Sequence, residues 1–210
     1  MQPKKRGRGR PVGSRVDPAQ RRAALLDAAE RAIRDHGPDV GIVEIAGAAG
    51  FVRSAVYAMF PNRDALLAAL SQRTAHRLLA EISTRAEGSL DLRQRMALFF
   101  DVLCGWMAAE PHLYRALNAA APTSVFEELA GAVEFMLISS FDGADPRVAA
   151  AAPWARAIVG SAVAAGEWWC RTAAMSQADL VEHLTALCWE GGAALPFKAE
   201  DIKSIDSRRR

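Results

Sequence analysis

The stretch Ile42-Val-Glu-Ile-Ala-Gly-Ala-Ala-Gly-Phe-Val-Arg-Ser-Ala-Val-Tyr-Ala-Met-Phe60 reads as two short helices joined by a tight turn. Ile42, Ile45, Ala46 and Ala49 fall at spacings of three and four, which gives the first helix one apolar face. Gly50 stands at the reversal, where glycine reaches left-handed dihedrals without steric cost. The second helix runs from Arg53 to Ala58, and Val56 and Phe60, four residues apart, share its inner face. Arg53, Ser54, Ala55 and Tyr57 are left to the outside. Two steeply crossing helices, the second presenting short polar side chains, form a unit that fits a DNA major groove. The same pattern also serves as a plain helical hairpin in an all-α core, and the flanking sequence separates the two readings.

Working outward, the upstream flank is an arm of positive charge. Residues 1–22 hold eight basic side chains against Asp17 alone, a net of +7 in a chain whose total is +2. The remaining residues therefore carry −5. Charge segregated in this way implies a local anionic partner. Within the arm, Arg6-Gly-Arg-Gly-Arg-Pro11 places Arg6, Arg8 and Arg10 on a slim, extended backbone. The Arg8-Gly-Arg-Pro11 core looks like an AT-hook, and a narrow A·T-rich minor groove has the negative potential to accept such an arm. Even a plain basic leader favours DNA through counterion release.

The downstream flank completes a pattern. Leu25-Leu26-Asp-Ala-Ala29, His36-Gly37, Ile45-Ala46, Ala49-Gly50 and Tyr57-Ala-Met-Phe60-Pro-Asn-Arg63-Asp-Ala-Leu66-Leu67 follow one another in order over residues 20–68. This combination resembles the TetR family of bacterial one-component repressors. The resemblance implies that the positions of Tyr57 and Arg63 contact phosphate, with Arg63 replacing the more usual lysine. Ile42 belongs to the same candidate DNA-binding set. In two places the chain departs from the family. Gly41 stands where Thr or Ser often opens the second helix, and Val52 where Ser or Thr often caps the recognition helix. Each departure removes a capping oxygen, and a lost cap costs about 1 kcal/mol.

Helix punctuation predicts an all-α chain of about nine helices. Asp17-Pro18 opens the first helix and His36-Gly37-Pro38 closes it. Asn62 caps a long helix from Arg63 to about Ala86, broken by Gly88-Ser89. Further helices span Asp91 to Ala109, Pro111 to Ala120, Ser124 to Phe141, Pro153 to Arg171, and from Ser176-x-x-Asp179 to about Gly191-Gly192; Asp145-Pro146 starts a short turn. The domain reading is a basic arm over 1–16, a DNA-binding domain over 17–68, a ligand-binding and dimerisation domain over 69–196, and a disordered tail over 197–210.

In the larger domain, Phe99, Phe100, Leu103, Trp106, Met107, Tyr114, Phe126, Phe135 and Trp168 are candidate linings of an apolar ligand cavity. Asp101, Glu134 and Glu167 are the candidate polar groups. Aromatic residues at helical spacing also make ordinary core. Gly160, Ala164 and their small neighbours, with Leu180, Leu184 and Leu187, are candidate dimer contacts; the resemblance implies that the last two helices pair in a four-helix bundle. The partners implied are double-stranded DNA, a small apolar or amphipathic effector and a second copy of the chain.

Other chemistry finds little support. Cys104, Cys170 and Cys188 lack Cys-x-x-Cys spacing, and His36, His76, His112 and His183 lack the pairing of a metal site, so no metal and no cofactor is expected. The stretch Val148 to Gly166 holds Pro153 and Arg156 and reads as a poor membrane span. No apolar leader follows the basic arm, so a cytoplasmic location is expected. The function expected is a homodimeric repressor on an inverted repeat, released by its ligand and not an enzyme. A ligand-independent or architectural DNA-binding protein is the alternative, and a small all-α enzyme a remote one.

Overall fold

The structure is a computed structural model that describes residues 17–86, 88, 90–119, 125–141, 143 and 145–191. The arm with Arg6, Arg8 and Arg10 and the tail from 197 lie outside the described residues. Among those described, nine α-helices and one 3₁₀ turn occur and no strand.

The first three helices are α1 (Pro18–His36), α2 (Ile42–Ala48) and α3 (Arg53–Met59), and α4 (Arg63–Arg85) continues from them. The Asp17 carboxylate accepts from the Ala19 amide at 3.0 Å, and Asn62 accepts from Ala65 at 2.8 Å, so both caps act as their residue types predict. Gly37 closes α1 at φ +97° and Gly50 makes the turn after α2 at φ +69°, values that L side chains rarely adopt. Leu25, Ile33, Ile45, Val56, Phe60, Leu66 and Leu70 interlock in one core with 0–2% exposure. Each such burial contributes roughly 1.5–3 kcal/mol.

The remaining helices are α5 (Leu92–Ala109), α6 (Pro111–Asn118), α7 (Val125–Ser139), α8 (Ala151–Thr172) and α9 (Gln177–Glu190), with the 3₁₀ turn Pro146–Ala150 before α8. Asp91 and Gln94 form a capping box on α5, and Ser176 and Asp179 one on α9. Helix α7 stops two residues short of the expected Phe141, and α8 starts two residues before Pro153. A proline tolerates either place in a first turn. A second core joins α4, α5, α7, α8 and α9 through Phe99, Phe100, Leu103, Met107, Leu129 and Val159.

Helix α4 passes through both cores: Leu66, Leu67 and Leu70 belong to the first, and Ala75 and Leu78 to the second. Helix α6, which the sequence gives no reason to separate from the larger domain, also packs into the first core through Leu113, Ala116 and Leu117. The head is therefore gripped at two places.

Candidate DNA interface and ligand cavity

Helices α2 and α3 meet at a bend of 115°, within the range of DNA-reading helix pairs. Val56 is fully buried, which turns Arg53, Ser54 and Tyr57 outward on the opposite face and leaves Ala55 half-buried beside them. The Arg53 guanidinium lies 5.9 Å from the Tyr57 ring centroid, an i, i+4 stack along that face. Helix α3 carries no acidic side chain. Val52 and Gly41 precede their helices with no side-chain cap, in line with the two departures from the family pattern. The Gly41 amide instead donates to Glu44 at 2.7 Å.

Two of the candidate DNA residues sit differently from expectation. Ile42 is buried in the head core, because it begins the apolar face of α2, so its side chain does not reach the surface. Arg63 is half-buried and donates to the carbonyls of Pro38 and, at 3.2 Å, of Val40. Its guanidinium ties the start of α4 to the loop between α1 and α2.

Charged groups fasten the head to the body. Glu30 on α1 is 4% exposed. Its carboxylate lies 2.7 Å from Arg73, 3.1 Å from Arg77 and 3.3 Å from Arg34. Arg34 also grips Glu110, the residue before α6, through Nε at 2.7 and 2.9 Å. These contacts raise the Arg34 pKa, the Glu110 hydrogen bond being the main cause. His112 Nδ1 stands 3.0 Å from the Arg34 carbonyl.

In the body, a cavity of about 260 Å³ opens between α4, α5, α7 and α8. Leu79, Ile82, Phe99, Val133, Leu137 and Ile158 form its apolar walls, with Met96 and Met136 beside them and Ser83 and Arg95 as polar members. Of the candidate ligand residues, Phe99 alone lines it. Phe100, Leu103 and Met107 are shut into the packed core, and Phe126 is buried with them. Trp106 and Tyr114 stack edge to face at 6.1 Å, with Trp106 wedged between the two cores. Phe135 is 73% exposed and Trp168 40%, both on outward helix faces. Helical spacing is the same for a core, a cavity wall and an exposed stripe, which is why these residues could not be sorted from sequence.

The three candidate polar groups are already partnered. Asp101 accepts from Arg85 at 2.5 Å and from Gln177 at 2.6 Å, and Glu134 from Arg156 at 3.1 Å. Glu167 accepts from the Tyr114 hydroxyl. Burial first, and then this carboxylate, push the Tyr114 pKa upward. Burial likewise raises the Cys104 thiol to about 12.

The candidate dimer contacts divide. Gly160, Ala164 and Leu187 are exposed on α8 and α9. Leu180 and Leu184 instead face the second core, because α5 lies across that side of α9. With the preceding 3₁₀ turn, α8 is long and apolar enough to cross a membrane, at mean hydropathy 1.4, contrary to the expectation of a poor span. Its Arg156 and Glu167 are paired within the fold, and Val159, Ala162 and Gly166 are packed inside it.

A steep helix pair whose second helix presents Arg53 and no acidic side chain, set on an all-α body, defines a helix-turn-helix DNA-binding protein. Residues 25–70 match the domain described as bacterial regulatory proteins, tetR family, and residues 118–203 the tetracyclin repressor-like C-terminal domain. The chain is 27% identical over 182 residues to an uncharacterised HTH-type transcriptional regulator of Mycobacterium tuberculosis, covering 81% of this chain and 76% of that one. Its fold is similar to a tetR-family transcriptional regulator from Streptomyces coelicolor, at TM-score 0.65 and 20% identity, covering 92% and 89% of the two chains. It is also similar to the transcriptional regulator FadR from Bacillus subtilis, solved in complex with stearoyl-CoA, at TM-score 0.56 and 16% identity over 80% and 98%. The chain belongs to the TetR family and is a DNA-binding transcription regulator, not an enzyme.

Proposed function

We propose that the protein is a cytoplasmic, homodimeric repressor that binds an inverted-repeat operator and releases it when an apolar or amphipathic molecule fills the cavity. The observation that carries this reading is the course of α4. Its first turns are embedded in the head, and its last turns supply Leu79, Ile82, Ser83 and Ala86 to the cavity wall. A ligand there touches the helix on which the recognition helix is mounted. The effect can only be as large as the ligand's differential affinity for the two head arrangements. A coupling of about 1–3 kcal/mol weakens operator binding roughly 5- to 150-fold.

In this reading α3 enters the major groove, Arg53, Ser54 and Ala55 approach base edges, and Tyr57 holds phosphate. Arg63 keeps a phosphate role only through the part of its guanidinium not bound to the 38–40 loop, and Ile42 acts through packing. The arm over 1–16 adds minor-groove or phosphate contacts through Arg6, Arg8 and Arg10. The head spans 17–68 and the sensing and dimerisation unit 69–196, with α6 attached to the head side. Gly160, Ala164, Trp168 and Leu187 make the outward face that meets the second copy. That face is apolar on a helix only partly covered by its own chain, which supports a helical partner over a solvated surface. The acyl-CoA bound by the Bacillus subtilis protein supports an amphipathic effector here.

The test is to map the bound genomic sites, then measure affinity for the recovered operator by fluorescence anisotropy. Arg53→Ala is expected to cost about 1–3 kcal/mol on the operator and to relax the preference at one base step. Equal weakening on operator and unrelated DNA would move Arg53 to a phosphate role, and unchanged binding would remove α3 from the groove.

A further inference from the structure

The cavity continues past Arg95 into an outer groove of about 450 Å³ lined by Leu92, Arg95, Phe135, Met136, Ser139 and Ser140. Leu92, Arg95 and Met136 are common to both spaces, so Arg95 stands at the neck between them. Among the described residues, neither lining contains an acidic side chain. The neighbouring arginines on α4 and α5 are all engaged: Arg85 with Asp101 and Glu81, and Arg93 with Glu190. Arg95 is not. Among the described residues the one hydrogen bond of its side chain is Nε to the Leu90 carbonyl at 3.1 Å, which orients the guanidinium and leaves both terminal nitrogens without a partner. It also sits in the first turn of an 18-residue helix, where the backbone dipole favours negative charge. Asp91, which caps that turn, is occupied by the Gln94 amide at 2.8 Å.

We propose that the effector is an anionic amphipath: an apolar chain lying among Leu79, Ile82, Phe99 and Val133, and a carboxylate or phosphate head held by Arg95 at the neck. A planar guanidinium offers two parallel N–H groups to either head, which an ammonium does not. The outer groove takes whatever the head carries beyond it, against the exposed Phe135 ring and the Ser139 and Ser140 hydroxyls. Both hydroxyls donate back to carbonyls at 2.8 Å, so their oxygens remain as acceptors. This proposal rests on the cavity being the effector site, and the experiment separates the two.

Calorimetric titration of the full chain would use decanoate, decyl phosphate, decan-1-ol and decylamine. Both anions, or one of them, are expected to bind about tenfold more tightly than the alcohol, the amine most weakly. Preference for decanoate alone points to free carboxylates, and preference for decyl phosphate alone to phosphate esters. Arg95→Gln is expected to bring the anions to the alcohol's affinity while leaving the alcohol unchanged. Arg95→Lys, which keeps the charge without the fork, should fall between. If the alcohol matches the anions in the native protein, or the anion preference survives Arg95→Gln, the head-group assignment is overturned and the cavity stands. If none of the four probes binds the folded protein, the cavity reading falls and takes this proposal with it.

Discussion

The two cores of this chain are built from the same residue types and packed to different ends. In the head, Leu25, Ile33, Val56, Leu66 and Leu70 are completely buried in mutual contact. In the body, Phe100, Leu103 and Met107 pack as tightly, but one side of that core ends at a cavity. There Leu79, Ile82, Met96, Leu137 and Ile158 are only partly covered. In the proposed function the head must hold Arg53 and Tyr57 in fixed register, and a close-packed core transmits strain without absorbing it. In the same proposal the body must admit a ligand, and unbranched Met96 and Met136 are side chains able to adapt to one. The difference teaches that composition sets how much a helix buries, while packing decides whether the space is filled.

The largest effects separate the cores directly. Leu70→Ala in the head is expected to cost about 2–5 kcal/mol, since the surrounding side chains cannot collapse into the void. Met96→Ala on the cavity wall should cost about 1 kcal/mol, because part of its surface already faces open space. Thermal midpoints at one protein concentration would check both. Equal losses would mean that the cavity is closed in solution and that the contrast between the cores is not real.

The joint between the two regions comes next. Glu30→Gln removes the charge that draws Arg34, Arg73 and Arg77 together. A fully buried pair broken in this way loses about 3–5 kcal/mol. The three arginine side chains here are 24–48% exposed, so solvent screening reduces the expected loss to about 1–3 kcal/mol. Asp27→Asn, whose carboxylate is 56% exposed beside Arg73, is the control, with an expected change below about 0.5 kcal/mol. If both variants melt together, the Glu30 cluster does not fasten the head. If Glu30→Gln also leaves ligand-driven release from DNA unchanged, coupling does not pass through α1.

The smallest effects distinguish the two sides of α8. A methyl on Gly166 would sit 2.9 Å from Met107 Cε and 3.0 Å from its sulfur, so Gly166→Ala forces a buried side chain to move. The expected loss is about 1 kcal/mol. Gly160 has nothing within 4 Å of the same methyl, and Gly160→Ala should raise the stability of the isolated subunit by about 0.5–1 kcal/mol. Analytical ultracentrifugation of Gly160→Ala then reads the outward face. Weakened self-association supports Gly160 and Ala164 as contacts between copies, and unchanged association moves the interface elsewhere.

Much of the architecture is legible without coordinates because its signals are local. Asp17, Asn62, Asp91 and Ser176 each accept a hydrogen bond from an amide two or three residues on, an interaction that needs no tertiary partner. Gly37 and Gly50 mark turns by the dihedrals they alone adopt freely. The outward setting of Arg53, Ser54 and Tyr57 follows from the inward setting of Val56, since the helical period ties one to the other.

The body was harder to read. Phe99 and Phe100 are adjacent and aromatic, yet one lines the cavity and the other fills the core. Leu180, Leu184 and Leu187 form one stripe by spacing, yet α5 covers the first two and leaves the third exposed. Arg63 carries the charge expected of a phosphate contact, but the 38–40 loop folds back within its reach. Arg95 gave no sign at all, because an exposed arginine near a helix start resembles any other.

By itself the sequence determined the helices, the capped starts of α1, α4, α5 and α9, the steep pair that presents Arg53 and the segregation of charge toward the chain's start. Those properties depend on dihedral preference, period and nearest neighbours along the backbone. Only the tertiary structure decided that α6 joins the head, that Glu30 draws three arginines to the joint, and that a cavity opens beside Phe99 with Arg95 at its neck. Each of these depends on which helix face meets which, and that is set by the sum of many contacts between residues far apart in the chain.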